Sequence, residues 1–274
     1  MENKELDFYD SIEIAEGIYW VGFFDDKASL RCNPYLVVDG SEAVLIDSGS
    51  RNDFSTVMLK IMRTGTDPRN IKRLIYHHYD PDLCGNIPHM EALIDNDELR
   101  LISQKENNIF ISYYSAKSAI DCIEDLGYSY TFTSGRKLQF ILTPFAHSPG
   151  SFVTYDTKTR VLFSSDLYGS YNTDLKVYSS VFEKCSYCTP ERLCPETSCQ
   201  CEILGIWDFH KRVMSSTEAL RYALKQIKRL DVSLIAPQHG NIFHTAMSCE
   251  IVTERLASLT GVGIDRFLKK EGVG

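Results

Sequence analysis

Two histidines and two carboxylates lie within one short stretch of the chain, His77 to Asp82. The stretch follows the apolar run at residues 74–76, which predicts a buried strand. In an extended segment His78, Asp80 and Asp82 would point to one side, because strand side chains alternate with a period of two. Two carboxylates gathered this closely are costly without a neutralising cation. The spacing therefore predicts a metal site, and we expect a two-metal site.

Three further potential ligands follow other apolar runs. His147 comes after a predicted strand at residues 138–145, Asp166 after a predicted hairpin at 152–164, and His239 after a predicted strand at 233–236. Rigid scaffolds place chemistry on loops at the ends of packed strands. We therefore expect these side chains to join the first stretch. His77 should point away from His78 and serve as an outer or surface histidine.

The apolar patterning predicts an α/β protein. Further strands are expected at residues 17–24, 34–38, 43–46 and 99–102. Helices are expected at residues 53–62, 87–94, 216–230 and 251–268, with one or two more inside 104–126. No linker rich in proline, glycine and serine divides the chain, so a single domain over residues 1–274 is expected.

The charge and the apolar content of the chain limit which partners and which compartment are expected. The formal net charge of −8 argues against nucleic-acid binding driven by phosphate contacts. No apolar run reaches the length of a transmembrane helix, which argues against a membrane protein, and the charged N-terminus lacks the apolar region of a signal peptide. These features predict a cytoplasmic protein.

Five of the nine cysteines are concentrated in a segment at about residues 183–203. The density and the Cys-x2-Cys element are typical of a zinc or iron–sulfur site. The alternatives are a reduced surface loop, or a thiol pair that senses oxidation. The thiols are those of Cys185, Cys188, Cys194, Cys199 and Cys201.

Four motifs, taken in order, resemble the metallo-β-lactamase fold. They are His78-x-Asp80-x-Asp82-x-x-Gly85, His147-Ser-Pro-Gly-Ser, Ser165-Asp166 and Pro237-Gln-His239-Gly. The resemblance covers roughly residues 17–239 and implies an αββα sandwich, in which two mixed β-sheets lie between helices. Asp47 sits where that superfamily keeps a carboxylate that orients a ligand histidine, although it could equally cap the helix starting near Asp53.

The second position of the first motif distinguishes between branches of the superfamily. Hydrolases usually carry His-x-His-x-Asp-His, whereas this chain has Asp80, which resembles the Glu of the flavodiiron motif. The sequence is most similar to the stand-alone oxygen-binding diiron proteins (ODPs) of that branch, which lack a flavodoxin domain. The resemblance implies two iron ions and no flavin bound by this chain. The first iron would be held by His78, Asp80 and His147, the second by Asp82 and His239, and Asp166 would bridge them.

Two positions depart from the flavodiiron pattern. Leu83 replaces the final histidine and cannot ligate, so the second metal would have open positions or would be lost. Asp80 is one methylene shorter than the usual glutamate. Tyr79 and Tyr168 flank the predicted metals, where they would donate a hydrogen bond to a bound oxygen or form the pocket wall.

These features predict a non-haem diiron protein that binds O2 and acts as a sensor or carrier in redox or chemotaxis signalling. One alternative is an O2 or nitric oxide reductase that receives electrons from a rubredoxin or flavoprotein. Another is a metallohydrolase such as a phosphodiesterase, in which a bridging hydroxide attacks the substrate. The sequence therefore leaves open whether the protein is an enzyme. The resemblance also favours a homodimer.

Overall fold

The computed structural model of the protein describes residues 7–25, 29–114, 117–171, 176–189 and 201–268. The strands are β1 (Ile12–Ala15), β2 (Ile18–Trp20), β3 (Phe23–Asp25), β4 (Leu30–Cys32), β5 (Tyr35–Asp39), β6 (Glu42–Ile46), β7 (Ile71–Ile75), β8 (Arg100–Ser103), β9 (Ala119–Cys122), β10 (Ser129–Thr131), β11 (Lys137–Leu142), β12 (Phe152–Asp156), β13 (Val161–Phe163) and β14 (Leu234–Ala236). The α-helices are α1 (Phe54–Arg63), α2 (Pro81–Cys84), α3 (Ile87–Ile94), α4 (Lys105–Ile111), α5 (Glu202–Val213), α6 (Thr217–Ile227), α7 (Ala246–Ala257) and α8 (Asp265–Leu268).

Most strands belong to two mixed sheets. The larger sheet has the order β1-β2-β5-β6-β7-β8-β9; its pairs are antiparallel as far as β6 and parallel beyond it. The smaller sheet has the order β10-β11-β12-β13-β14, and only its β13–β14 pair is parallel. Strands β3 and β4 form a separate two-stranded ribbon in which Phe23 pairs with Cys32.

Alternating side chains on the central strands divide the core into three apolar layers. Val44 and Ile46 of β6 belong to the layer between the sheets, whereas Leu45 packs in the layer of α1 and α3. In the smaller sheet, Phe152 belongs to the middle layer and Val153 to the layer of α5, α6 and α7. Strands buried on both faces need apolar side chains at successive positions. The result is the predicted αββα sandwich of the metallo-β-lactamase fold.

The loops that carry the predicted ligands leave the ends of the central strands. β6 and β7 are parallel and end at Ile46 and Ile75, and β13 and β14 are parallel and end at Phe163 and Ala236. Carboxyl ends of parallel strands meet at one edge of a sheet. Polar side chains follow each of these four ends, namely Asp47, His77, His78, Asp166 and His239.

The prediction of one or two helices inside residues 104–126 is correct for one helix, Lys105–Ile111. The rest of the described part of that range is not helical, and Ala119–Cys122 forms β9 at the edge of the larger sheet. The predicted helix at 251–268 is wrong in extent, because α7 begins at Ala246, after a capping box at Thr245, and ends at Ala257. Within the described residues, no helix has the length and apolar character needed to cross a bilayer.

Several elements were not predicted from the sequence, among them β1, β4 and α5. β1 and β4 contain four and three residues, too few to show a clear periodicity. Helix α5 was missed because it directly follows the cysteine-rich segment. Its buried residues Ile203, Ile206 and Trp207 do have helical spacing. The strand predicted at 17–24 is interrupted after Trp20, so that β2 and β3 join different sheets.

Candidate metal centre

Two groups of potential metal ligands lie at this edge of the sandwich. Among the described residues, ligand atoms of His78, His147 and Asp166 lie within 4.8 Å of one another. Those of a second group, Cys32, Asp82 and His239, meet the same limit. The structure thus gathers side chains from loops that are far apart in the sequence.

Asp80 completes the first group. Its Oδ2 lies 3.4 Å from His147 Nε2 and 3.8 Å from His78 Nε2. The two imidazole rings meet nearly edge to face, with centroids 4.6 Å apart. Both Nε2 atoms therefore face the same carboxylate oxygen, as ligands of one cation would.

Asp166 lies between the two groups. Its Oδ2 is 3.0 Å from His147 Nε2, and its Oδ1 is 3.6 Å from His239 Nε2. Only 3% of Asp166 is exposed, and Oδ1 has no hydrogen-bond partner among the described residues. A buried carboxylate oxygen without a partner is costly, and a cation would satisfy it. The donor set therefore fits a pair of metal ions that share Asp166.

Outer hydrogen bonds fix the orientation of two imidazoles. His78 Nδ1 and Ser165 Oγ share a hydrogen bond at 3.0 Å, and the Nδ1–H of His239 donates to the Arg31 carbonyl at 2.7 Å. Such bonds set the tautomer and leave the Nε2 lone pair facing the metal. Both Nε2 atoms lie within 4 Å of Asp166 Oδ1.

The charges of the site depend on one another. Burial alone would lower the pKa of His147, but the carboxylates of Asp166 and Asp80 raise it to about 10. Burial opposes ionisation of Asp166, yet the nearby imidazoles hold its pKa well below its usual range. Asp166 is therefore a carboxylate at neutral pH, and a divalent cation would displace imidazolium protons on binding.

The extended geometry expected for residues 78–82 is wrong beyond Asp80. Pro81 begins the short helix α2, and Asp80 keeps an extended backbone as its N-cap. Asp80 and Asp82 consequently face different groups, and Asp82 Oδ2 lies 3.2 Å from His239 Nε2. A proline at the first helical position divides one motif between the two candidate metal positions.

Asp47 orients a different histidine from the one expected. Its carboxylate accepts a hydrogen bond from His77 Nδ1 at 3.0 Å, and His77 Nε2 lies 2.9 Å from Thr154 Oγ1. His77 is only 1% exposed, so it is not a surface residue. Asp47 therefore neither contacts a predicted ligand histidine nor caps α1, whose N-cap is Asp53. The Asp47–His77 pair instead links the ends of β6 and β7 to β12.

The predicted hydrogen-bonding role of Tyr168 at the site is wrong. The hydroxyl of this buried tyrosine shares a hydrogen bond with Thr253 Oγ1 on α7, at 3.1 Å. Tyr79 is half-buried and packs against Phe110, with ring centroids 4.5 Å apart.

Leu83 is fully buried in the apolar layer of α1 and α3, the layer that also contains Cys32. Its carbonyl accepts hydrogen bonds from the backbone N and the hydroxyl of Ser48. The neighbouring thiol of Cys84 is also buried and contacts the carbonyl of His78 at 3.5 Å. Leu83 therefore fixes the turn that carries Asp82.

The cysteine-rich segment is only partly described. Cys185 lies in the short helix Glu183–Tyr187, Cys188 follows that helix, and Cys201 is the N-cap of α5. All three contribute to the apolar layer of α5 and α7. Cys194 and Cys199 lie outside the described residues. Neither ligand group found among the described residues includes a thiol from this segment.

Sequence reasoning missed Cys32, and it named Ser165 in a motif without giving it a role. Ser165 directly precedes Asp166, and its adjacency to a predicted ligand was the available signal. Cys32 lies in a short strand far from every ligand motif, and no local pattern marks it.

The fold and the donor set define a protein of the metallo-β-lactamase fold with two adjoining groups of potential metal ligands. Residues 30–240 match the profile of the family described as ODP family beta lactamase. The chain belongs to this family.

Similar proteins include both sensors and larger flavoproteins. A solved structure of the peroxy diiron species of a chemotaxis sensor ODP has 25% sequence identity and a TM-score of 0.71, covering 92% of this chain and 94% of its own. A Synechocystis sp. protein named as a diflavin flavoprotein is 29% identical over 82% of this chain and 36% of its own length. An anaerobic nitric oxide reductase flavorubredoxin of Enterobacter sp. is 27% identical over 64% of this chain and 39% of its own length. The chain thus spans well under half the length of these two curated relatives.

Proposed function

We propose that this chain is a non-haem diiron protein that binds O2 and acts as an oxygen sensor or carrier in redox or chemotaxis signalling. The observation that carries the proposal is the position of Asp166. One of its oxygens faces His147, and the other, which has no hydrogen-bond partner among the residues that the structure describes, faces His239. A carboxylate placed in this way can bridge two cations.

The contacts between the side chains support the proposed ligand sets. His78, Asp80 and His147 would hold the first iron, Asp82 and His239 the second, and Asp166 would belong to both. When bound, two ferrous ions supply the electrons and the open coordination positions that O2 binding requires. Ser165 and the Arg31 carbonyl keep the Nε2 atoms of His78 and His239 directed at the metals.

The ligand chemistry favours iron over the zinc of a hydrolase. The proposed set contains three imidazoles and three carboxylates, because Asp80 occupies the second position of the first motif. Carboxylate oxygens make this a harder set than an all-histidine first site, and mixed shells with open positions suit iron or manganese.

The relatives support a sensor and also favour a second candidate. The similar solved structure is a chemotaxis sensor with a diiron species, which supports oxygen sensing with a signalling partner. The flavorubredoxin relative favours an O2 or nitric oxide reductase that takes electrons from a rubredoxin or flavoprotein. In that case turnover would depend on a donor supplied in trans.

We also propose that the cysteine-rich segment binds a separate zinc or iron–sulfur centre. Support comes from the Cys-x2-Cys spacing of Cys185 and Cys188 and from the position of Cys201 in the same apolar layer. Such a centre would be distinct from the proposed diiron ligands.

Anaerobic stopped-flow mixing with O2 tests the proposed function. The iron-loaded chain should give an optical change that saturates at one O2 per pair of iron ions, and Asp166→Asn should abolish it. Steady consumption of O2 or nitric oxide with a chemical reductant would identify a reductase instead. An iron-loaded chain with no optical response to O2 would contradict both candidates.

A further inference from the structure

A buried thiol lies beside the incomplete ligand set of the proposed second metal. The Sγ of Cys32 is within 4.8 Å of ligand atoms of Asp82 and His239, and Cys32 is only 3% exposed. Among the described residues, no other cysteine joins a group of three potential ligands.

Hydrogen bonds on both sides of Cys32 hold it against the loop that carries His239. The preceding carbonyl, of Arg31, accepts from His239 Nδ1 at 2.7 Å. On the following residue, Asn33 N donates to Gln238 O and Asn33 Nδ2 to Pro237 O, both at 2.9 Å. These contacts fix the position of Sγ relative to His239 Nε2. A ligand position held by its neighbours in this way is preorganised for a metal.

A second observation points independently to a cation at this place. Asp166 is 97% buried, and its Oδ1, directed toward His239 Nε2 at 3.6 Å, has no hydrogen-bond partner among the described residues. With Asp82 and His239, this oxygen provides three ligands. Leu83 cannot supply a fourth, which leaves a coordination position that a donor from another part of the chain could take.

We propose that Cys32 binds the second metal ion as a thiolate and supplies the ligand that Leu83 cannot. This inference rests on the proposed function for the presence of the metal, and it adds a ligand to that site. On binding, the S–H bond breaks, the proton leaves to solvent, and a metal–sulfur bond forms without any change of oxidation state. The second metal would then have one soft ligand, whereas the first would have only nitrogen and oxygen ligands.

Cobalt(II) titration of the whole chain tests the thiolate. Wild-type protein should show near-ultraviolet thiolate-to-cobalt absorption that includes a component from this site. Cys32→Ser should lose that component and bind cobalt at this site about 10- to 100-fold more weakly. The control Cys249→Ser removes a thiol that is also buried but lies on α7, and it should match the wild type. Cys32→Ser with wild-type absorption and affinity would overturn the inference.

Cadmium-113 NMR of the unsubstituted chain covers the case in which Cys32→Ser does not fold. The inference predicts a resonance in the range of a mixed site with one sulfur ligand. Two ions bound only by nitrogen and oxygen would overturn it and leave the proposed function intact. Failure of the wild type to bind metal at His78 and His147 would overturn the proposed function as well.

Discussion

Asp166 contacts His147 through Oδ2, 3.0 Å from Nε2, whereas its Oδ1 lies 3.6 Å from His239 Nε2 and has no hydrogen-bond partner in the described part of the chain. The carboxylate is buried, and burial opposes its charge, yet the surrounding imidazoles hold its pKa well below the usual range. This charged and half-satisfied carboxylate joins two groups of side chains into one site.

Asp166→Ala should abolish binding of both metals, because it removes the only side chain that the two proposed ligand sets share. His239→Ala should mainly empty the second position, since His78, Asp80 and His147 remain. Elemental analysis of each variant after anaerobic iron loading measures this difference. Full and equal metal retention in both variants would contradict the bridging role.

Leu83→His should slow or alter O2 binding. The imidazole would be added beside Asp82, in the apolar layer that also contains Cys32, and would compete for an open coordination position. Stopped-flow rates of the iron-loaded variant measure the effect, and Leu83→Met is a control of similar size that keeps the site apolar. O2 kinetics equal to those of the wild type would show that Leu83 does not face the metals.

His210 should make the stability of the fold depend on pH. Burial lowers its pKa from 6.5 to about 4, and the neutral ring accepts a hydrogen bond from Tyr168 N at 3.0 Å. Between these pH values the unfolded chain binds a proton that the folded chain does not. The free energy of unfolding should therefore fall by about 3 kcal/mol as the pH drops from 6.5 to 4.

Urea denaturation of the metal-free wild type and of His210→Gln measures that contribution. The glutamine can accept the same hydrogen bond but does not titrate. The free energy of unfolding of the wild type, measured relative to that of the variant, should therefore fall steadily as the pH drops through this range. A difference that is constant with pH would show that His210 does not stay neutral in the fold.

The buried ion pair between Arg136 and Asp156 should be important for stability. The two side chains are 2% and 0% exposed and 2.7 Å apart. Asp156→Ala should cost about 3–5 kcal/mol, because it leaves a buried guanidinium without its carboxylate. The double variant Arg136→Met, Asp156→Ala should cost less than the sum of the two single changes. Urea unfolding of the four proteins measures the coupling, and strict additivity would contradict it.

The sequence predicted much of the fold because most central strands and helices have strong apolar periodicity. Helix α3 was expected at residues 87–94 and is observed there, and β5 and β6 lie within a residue of their predicted bounds. The region after α4 was misassigned because Ala119–Cys122 forms an edge strand that is only partly buried. Its pairing with β8, and not its own pattern, decides its structure.

The potential ligands could be predicted because each directly follows an apolar run that ends at the same edge. The position of Cys32 beside His239 could not be predicted, because it depends on contacts between β4 and the distant loop around His239. The same limitation applies to Asp47, because its hydrogen bond with His77 depends on how side chains pack at the ends of β6 and β7. The local sequence pattern identified the loops that carry the potential ligands. It did not show how their side chains are divided between the two ligand groups.

Elemental analysis combined with optical spectra of anaerobically purified protein, recorded before and after admission of O2, tests the central claim most directly. Iron is expected at the two ligand groups in every chain, together with new absorption that appears on exposure to O2 and is absent from Asp166→Asn. Zinc at these positions, with a spectrum that O2 leaves unchanged, would contradict it.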